Sequence, residues 1–197
     1  MRTSFDQPIA ASAQDAQAAF LDPGFYAGLG ELPGISAPEV RSCSRPSAGH
    51  ARTVLGYRFA GTLNGPARRL LDPGKLTWAQ VTEVDLASKR TEVEMVPDNY
   101  SGLFSFSGWY ELRDEGEGQC CQHFEGDLRV HLPLLGPLAE RAIANGIGEN
   151  LAATARLVER YVAAKAKTAT AGDLPAASDG PEAQAEGREA GAEGPGA

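Results

Sequence analysis

NGIGENLAATARLVERYV, Asn145 to Val162, reads as an amphipathic helix that opens on two glycines. Ile143, Ile147, Leu151, Thr154, Val158 and Tyr161 recur at spacings of three and four and form one stripe. Arg141, Asn145, Glu149, Arg156, Glu159 and Arg160 make the opposite face. A glycine in a helix interior costs roughly 1 kcal/mol relative to alanine, so Gly146 and Gly148 need a compensating reason. At about 100° per residue both sit on the shoulders of the stripe, where a side chain would meet the rims of whatever the helix lies against. The spacing therefore predicts a helix pressed into a concave surface, which the upstream sequence has to supply.

That surface is legible between Pro38 and Leu132, where period-two segments alternate with turn residues in the manner of an antiparallel meander. Leu55, Tyr57 and Phe59 alternate with Val54, Gly56 and Arg58. Strands are expected at about residues 76–86, 90–96, 102–113 and 119–132, joined by connections such as Ala87-Ser88-Lys89 that are short enough for hairpins. In the last of them Cys120, Gln122, Phe124, Leu128, Val130 and Leu132 share one face, and His123, Glu125, Asp127, Arg129 and His131 the other. One apolar and one polar face describe a sheet covered on one side.

Upstream, RTSFDQPIAA reads as a strand whose proline suits a sheet edge. Ser12 and Asp15 resemble a capping box for a short helix through Ala16, Ala19, Phe20 and Leu21, which Asp22-Pro23-Gly24 breaks. FYAGLGEL supplies a second helical turn before Leu32-Pro33-Gly34, and Arg68 to Leu71 another inside the meander. The order of strand, two short helices, meander and long terminal helix predicts an α+β helix-grip fold, a curved antiparallel sheet wrapped around the last helix.

This order, together with PLLGPLAERAIANGI, resembles the START-like superfamily of polyketide cyclase and dehydrase, lipid-transfer and birch-pollen-allergen type proteins. Within it the chain looks most like an actinobacterial family of unknown function that often reads Pro-Leu-x-Gly with a Glu four residues later, here Pro133, Leu134, Gly136 and Glu140. The similarity covers roughly Met1 to Ala164. The residues fit on their own terms: Pro133 ends a strand, Gly136 allows a turn and Pro137 suits a first helical turn, with Glu140 near the positive end of the helix dipole. The resemblance implies a hollow between sheet and helix that takes an apolar ligand in many superfamily members; it implies no reaction.

Candidate wall residues are Tyr57, Phe59, Trp78, Met95, Phe106, Tyr110, Gln122, Phe124 and Leu128 from the sheet, with Ile143, Ile147 and Leu151 from the helix. Choosing Phe106 and Tyr110 over Trp109 requires that the strand run through Gly108 without a bulge. Gln122 is the informative polar member, because an amide on an apolar face needs a partner or a ligand. His123 and His131 fall on the solvated face and His50 beside a loop glycine, so no histidine is placed for general acid or base work. No HExxH, phosphate loop or nucleophile elbow occurs, and GLGELPG lacks the dinucleotide spacing. No cofactor and no metal are expected. Binding of a small apolar molecule such as a lipid, polyketide or isoprenoid is the leading functional expectation; an aromatase, cyclase or dehydratase, or a non-catalytic scaffold, are its alternatives.

Composition sets the outer bounds. The 197 residues are 42% hydrophobic and 22% charged, as in a soluble globular chain. From Lys165 onward Ala, Gly, Glu, Pro, Thr and Ser dominate, so residues 1–165 are expected to form the domain and 166–197 a disordered acidic tail. That tail sets six acidic residues against Lys167 and Arg188, giving −4 of the net −8, and neither part is suited to nucleic acid. Cys43, Cys120 and Cys121 lack metal-ligand spacing and read as reduced thiols. The opening MRTSFDQPIA has no apolar stretch flanked by a basic start and a cleavage site, and nothing elsewhere approaches roughly 18 consecutive apolar residues. A cytoplasmic location without membrane insertion follows as the expectation.

Overall fold

Alternation between Arg2 and Val130 builds one antiparallel sheet in the computed structural model, which describes residues 1–30, 32–63 and 65–172. Its strands are β1 (Arg2–Ile9), β2 (Glu39–Ser47), β3 (His50–Arg58), β4 (Thr77–Asp85), β5 (Arg90–Pro97), β6 (Phe104–Gly116) and β7 (Gln119–Val130). They lie in the order β1-β7-β6-β5-β4-β3-β2. The meander thus forms by successive hairpins, and β1 closes it against β7 with Phe5 opposite Phe124 and Pro8 opposite Cys121. Pro8 is tolerated because β1 is an edge strand with a free side. His50, expected in a loop, opens β3 instead and is exposed.

Pairing between β6 and β7 runs unbroken from Phe104–Val130 to Asp114–Cys120, through Gly108 opposite Gly126. No bulge intervenes at Gly108, so Phe106 and Tyr110 face the concave side and Trp109 the convex side, under the Arg90 guanidinium and beside His123. The glycine pair has a packing role. A Cβ at Gly126 would stand 2.7 Å from the Phe106 ring, and one at Gly108 would stand 2.5 Å from the Glu125 carbonyl oxygen. The Phe106 ring therefore folds down over bare backbone and stacks on Phe124 at 6.0 Å.

Two short helices follow β1. Ser12 caps α1 (Ala13–Phe20) by accepting from Asp15 N at 3.1 Å, and Asp22 caps α2 (Pro23–Ala27) by accepting from Gly24 N at 2.8 Å. A third helix, α3 (Gly65–Leu70), and a 3₁₀ turn at Pro73–Lys75 sit between β3 and β4.

The last helix, α4, spans Gly136–Gly172. It runs past Lys165, so the boundary expected there is not the end of the helix; residues 173–197, which make up most of the expected tail, lie outside the described residues. The entry to α4 differs from the expectation in two respects. Leu134, not Gly136, adopts the left-handed conformation (φ 64°), whereas Gly136 is dictated by close approach, since a Cβ there would stand 2.6 Å from the Val130 carbonyl oxygen. Glu140 lies beyond the first turn and accepts from Val130 N at 3.0 Å, fastening the helix to the end of β7 rather than answering the helix dipole.

Helix α4 packs chiefly on β1, β7 and α1. It grips one flank of the concave face and stands clear of β3 to β5. Its C-terminal half is tightly packed: Ala155 and Val158 are buried, Tyr161 meets Phe25 edge-on at 5.3 Å, and the Tyr161 hydroxyl donates to Asp22 at 2.8 Å. Lys165 joins the same carboxylate. These partners, Lys165 first and then Tyr161 and the Gly24 amide, hold the Asp22 carboxyl at about 2. No helix among the described residues is long and apolar enough to cross a membrane.

Candidate functional site

Because α4 rests on one flank of the sheet, the space between its N-terminal half and β3 to β6 is left as a cavity of about 690 Å³. Alternation directs the sheet's share of the wall: Tyr57 from β3, Trp78, Gln80 and Thr82 from β4, Val93 and Met95 from β5, Phe104 and Tyr110 from β6, Gln122 and Phe124 from β7. Phe59 follows β3 directly, and its amide donates to the Leu76 carbonyl at 2.8 Å, which holds the chain along the rim. From α4 come Ile143, Gly146, Ile147, Asn150, Leu151 and Thr154. The wall is aromatic and aliphatic with a few amides and hydroxyls, the composition of a site for an apolar molecule.

Tyr57, Phe59, Trp78, Met95, Tyr110, Gln122, Phe124, Ile143, Ile147 and Leu151 all lie on this wall. Phe106 and Leu128 do not. They oppose each other across β6 and β7 and are 3% and 0% exposed. Phe106 is drawn away from the hollow by the flat seat that Gly108 and Gly126 offer its ring, and Leu128 belongs to the packed core beside it. Both belong to the core and not, as expected, to the wall.

The two glycines of α4 part company. A Cβ at Gly148 would stand 2.9 Å from the Phe5 ring of the edge strand, the rim contact that the spacing predicts. At Gly146 nothing lies within 4 Å, because this position faces the hollow. Asn145 and Glu149, read as the solvated face, border the cavity while remaining exposed.

Sequence reasoning missed several wall residues. Phe20, Tyr26, Leu29 and Leu32 arrive from the α1–α2 region, Leu71 and Leu76 from around the 3₁₀ turn, and Leu135 and Leu138 from the entry to α4. No period-two or helical pattern marks residues in such connections. Asn150 was detectable: it falls three residues after Ile147 and four before Thr154, on the apolar stripe itself.

The polar groups of the wall divide into paired and unpaired. The Tyr26 hydroxyl donates to the Phe20 carbonyl at 2.8 Å, and Tyr110 hydrogen-bonds the Thr91 side chain. Burial raises the phenols of Tyr26 and Tyr57 and pushes Tyr110 up to about 12, so all three stay protonated at neutral pH. Trp78 stacks on Tyr57 at 5.8 Å, but its indole N–H has no partner. Gln122 Oε1 and Asn150 Oδ1 are also buried without partners, whereas Asn150 Nδ2 donates to the Pro33 and Gly146 carbonyls at 3.0 and 2.8 Å. Among the described wall residues Glu149 is the only one that carries a charge. Arg68 and Arg69 are exposed and stand off the wall, as does His123, whose ring is held by Asp6 at 2.6 Å on the convex face. Cys120 and Cys121 are buried free thiols, and no group of three metal-ligating side chains occurs among the described residues.

A curved seven-stranded sheet gripping one long helix over a hollow defines a START-like, helix-grip fold. The chain belongs to the family described as protein of unknown function (DUF2505), whose model matches residues 4–162. Among curated proteins nothing matches. Solved structures of the same fold include the ZhuI aromatase/cyclase from Streptomyces sp. R1128, at 14% identity and TM-score 0.59 over 86% of this chain and 97% of that one. TTHA0849 from Thermus thermophilus is similar at 15% identity and TM-score 0.58, over 84% and 99%. Norcoclaurine synthase from Thalictrum flavum, solved with a transition-state analogue, is similar at 19% identity and TM-score 0.55, over 84% and 96%. At these identities the likeness is one of fold.

Proposed function

We propose that the chain is a binding protein that holds one small apolar molecule between sheet and helix. The observation that carries this reading is the cavity of about 690 Å³, walled by aromatic and aliphatic side chains from every layer of the fold. A hollow of this size suits a drug-sized or lipid-sized molecule. Titration with the uncharged dye Nile red, with native mass spectrometry for stoichiometry, tests it. One dye per chain is expected, with uptake lost when Gly146→Phe fills the hollow; failure of the wild-type chain to take up dye or any co-purifying apolar molecule refutes the reading.

A second reading, an aromatase, cyclase or dehydratase, draws on the unpaired Trp78 indole N–H, a donor of the kind that orients a carbonyl oxygen. The fold likeness to an aromatase/cyclase supports it at the level of scaffold alone. It is the weaker reading because the buried phenols serve as hydrogen-bond donors rather than bases at neutral pH, and the wall's one described carboxylate, Glu149, is exposed.

A further inference from the structure

The large apolar side chains left exposed among the described residues are Met1, Leu70, Val96, Leu134 and Leu138. All five fall at one end of the sheet, where β1, β4 and β6 begin and β3, β5 and β7 finish. Met1 sits beside Leu128, Val96 opposite Ala79, Leu70 in the β3–β4 connection, and Leu134 and Leu138 at the passage from β7 into α4. Hydrogen bonds gather these connections: Asn99 donates to the Lys75 carbonyl, Asp72 N to the Tyr100 hydroxyl, and His131 N to the Leu103 carbonyl. Leu138 lines the cavity while 57% exposed, so the hollow opens at this end.

Leu134 is the decisive residue. It is 99% exposed and holds φ at 64°. That left-handed backbone crowds the Cβ of an L-residue and suits glycine or asparagine, so leucine there costs the fold stability. Full exposure returns nothing to the core. A side chain that strains its backbone and packs on nothing answers to something outside the chain.

Charge selects the partner. Arg58, Arg68, Arg69, Lys75, Arg129 and Arg141 are exposed at this end, and none forms an ion pair with a described residue. The cations of the opposite end, Arg52, Lys89, Arg90 and Arg113, are each paired, with Glu83, Asp114, Glu92 and Glu111. Only Glu39, Asp72 and Glu149 oppose the six among the described residues, since Arg41 takes up Asp98 and the N-terminus takes up Glu140. Apolar tips among unpaired cations, on a chain of net charge −8, describe a surface for an anionic bilayer. Two copies meeting symmetrically through this end would set cations against cations, which disfavours self-association.

We propose that this end of the fold is a peripheral docking surface for a bilayer that carries anionic lipid. Leu70, Leu134 and Leu138 enter the interface, and the arginines around them meet lipid phosphates. The contact stays at the surface, because no described helix is long and apolar enough to span a membrane. It goes beyond the cavity-binding reading and stands whether or not the hollow is occupied.

Co-sedimentation of the full chain with vesicles tests this, one set made of phosphatidylcholine alone and one of phosphatidylcholine and phosphatidylglycerol in equal parts. Partition is expected to be about tenfold stronger on the anionic set and to fall at high salt. Leu134→Asn is expected to bind anionic vesicles about tenfold more weakly, yet to melt no lower than the wild type, because asparagine accepts the left-handed backbone. Arg68→Gln combined with Arg69→Gln is expected to lose about 30-fold at low salt, with Nile red uptake in vesicle-free solution unchanged. Equal partition on both vesicle sets, no partition on either, or unchanged partition of Leu134→Asn overturns the proposal. So does a Leu134→Asn variant that melts lower, which gives Leu134 a role inside the fold, or a wild-type dimer that Leu134→Asn dissociates, which makes this end an interface between copies. Each of these outcomes leaves the cavity reading intact, whereas refusal of Nile red by the wild-type chain bears on that reading alone.

Discussion

Replacing Gly146 and Gly148 separately by alanine probes the architecture most directly, because the two positions are two residues apart on one helix yet meet opposite surroundings. In a helix interior Gly→Ala is worth about 0.8–1 kcal/mol. At Gly146 the new methyl meets nothing within 4 Å, so nothing opposes that gain. The expected increase of ~1 kcal/mol corresponds to about 2–4 °C in melting temperature for a domain of this size. At Gly148 the methyl would stand 2.9 Å from Phe5, a half-buried ring with Phe124 behind it at a centroid distance of 6.3 Å. Overpacking of this kind costs roughly 1–3 kcal/mol, which cancels or exceeds the helix gain. Urea and thermal denaturation of the two variants beside the wild type give the comparison, with equal urea dependence as the check that only stability has changed. Loss of stability in Gly146→Ala, or an equal gain in both variants, refutes the conclusion that this helix is pressed on one side and open on the other.

Other perturbations test the parts around it. Leu128→Ala is expected to cost about 2–5 kcal/mol in urea denaturation, as befits a side chain in solid core, and Phe59→Ala, on the partly exposed cavity wall, markedly less while altering Nile red affinity. Gly126→Ala should destabilise by roughly 1–3 kcal/mol, because its methyl enters the space of the Phe106 ring; a neutral result refutes the seat that separates Phe106 from the cavity. The Asp22 carboxyl, held near 2 in the folded chain against 3.8 when free, contributes stability that is complete above pH 3.8 and is lost as pH falls through about 2. Asp22→Asn should flatten the acid limb of a stability profile in that window and lower stability at neutral pH by roughly 0.5–1 kcal/mol. Glu140→Ala strands the Val130 amide and is expected to cost about 1–3 kcal/mol by the same denaturation measurement.

The sheet and the terminal helix were legible because alternation and three-four spacing persist over long segments, and burial on one face leaves a strong record in β7 and α4. The same record places most of the wall, since a residue on the concave face is either core or cavity. What it does not encode is which of the two. Phe106 and Phe124 have the same parity and chemistry, yet one is folded onto a glycine pair and the other borders the hollow, and that difference depends on Gly108 and Gly126 meeting across two strands. Gly146 and Gly148 pose the same limit, because both interrupt the helix alike in sequence and only the flank on which α4 rests distinguishes them. Wall residues from the α1–α2 region and from the entry to α4 were illegible for another reason: short irregular segments carry no periodicity to read.

Helix α4 is anchored at both extremities, by Glu140 to the end of β7 and by Tyr161 and Lys165 to the cap of α2. A beam clamped at two points resists being lifted from its bed, and lifting it would break these bonds together. The stretch 65–71 is less deeply buried: α3 contains no buried residue, and yet Ala67 and Leu71 form part of the roof. On the cavity-binding reading proposed above, a crosslink from this stretch to the sheet is expected to slow the exchange of a bound molecule without touching the beam.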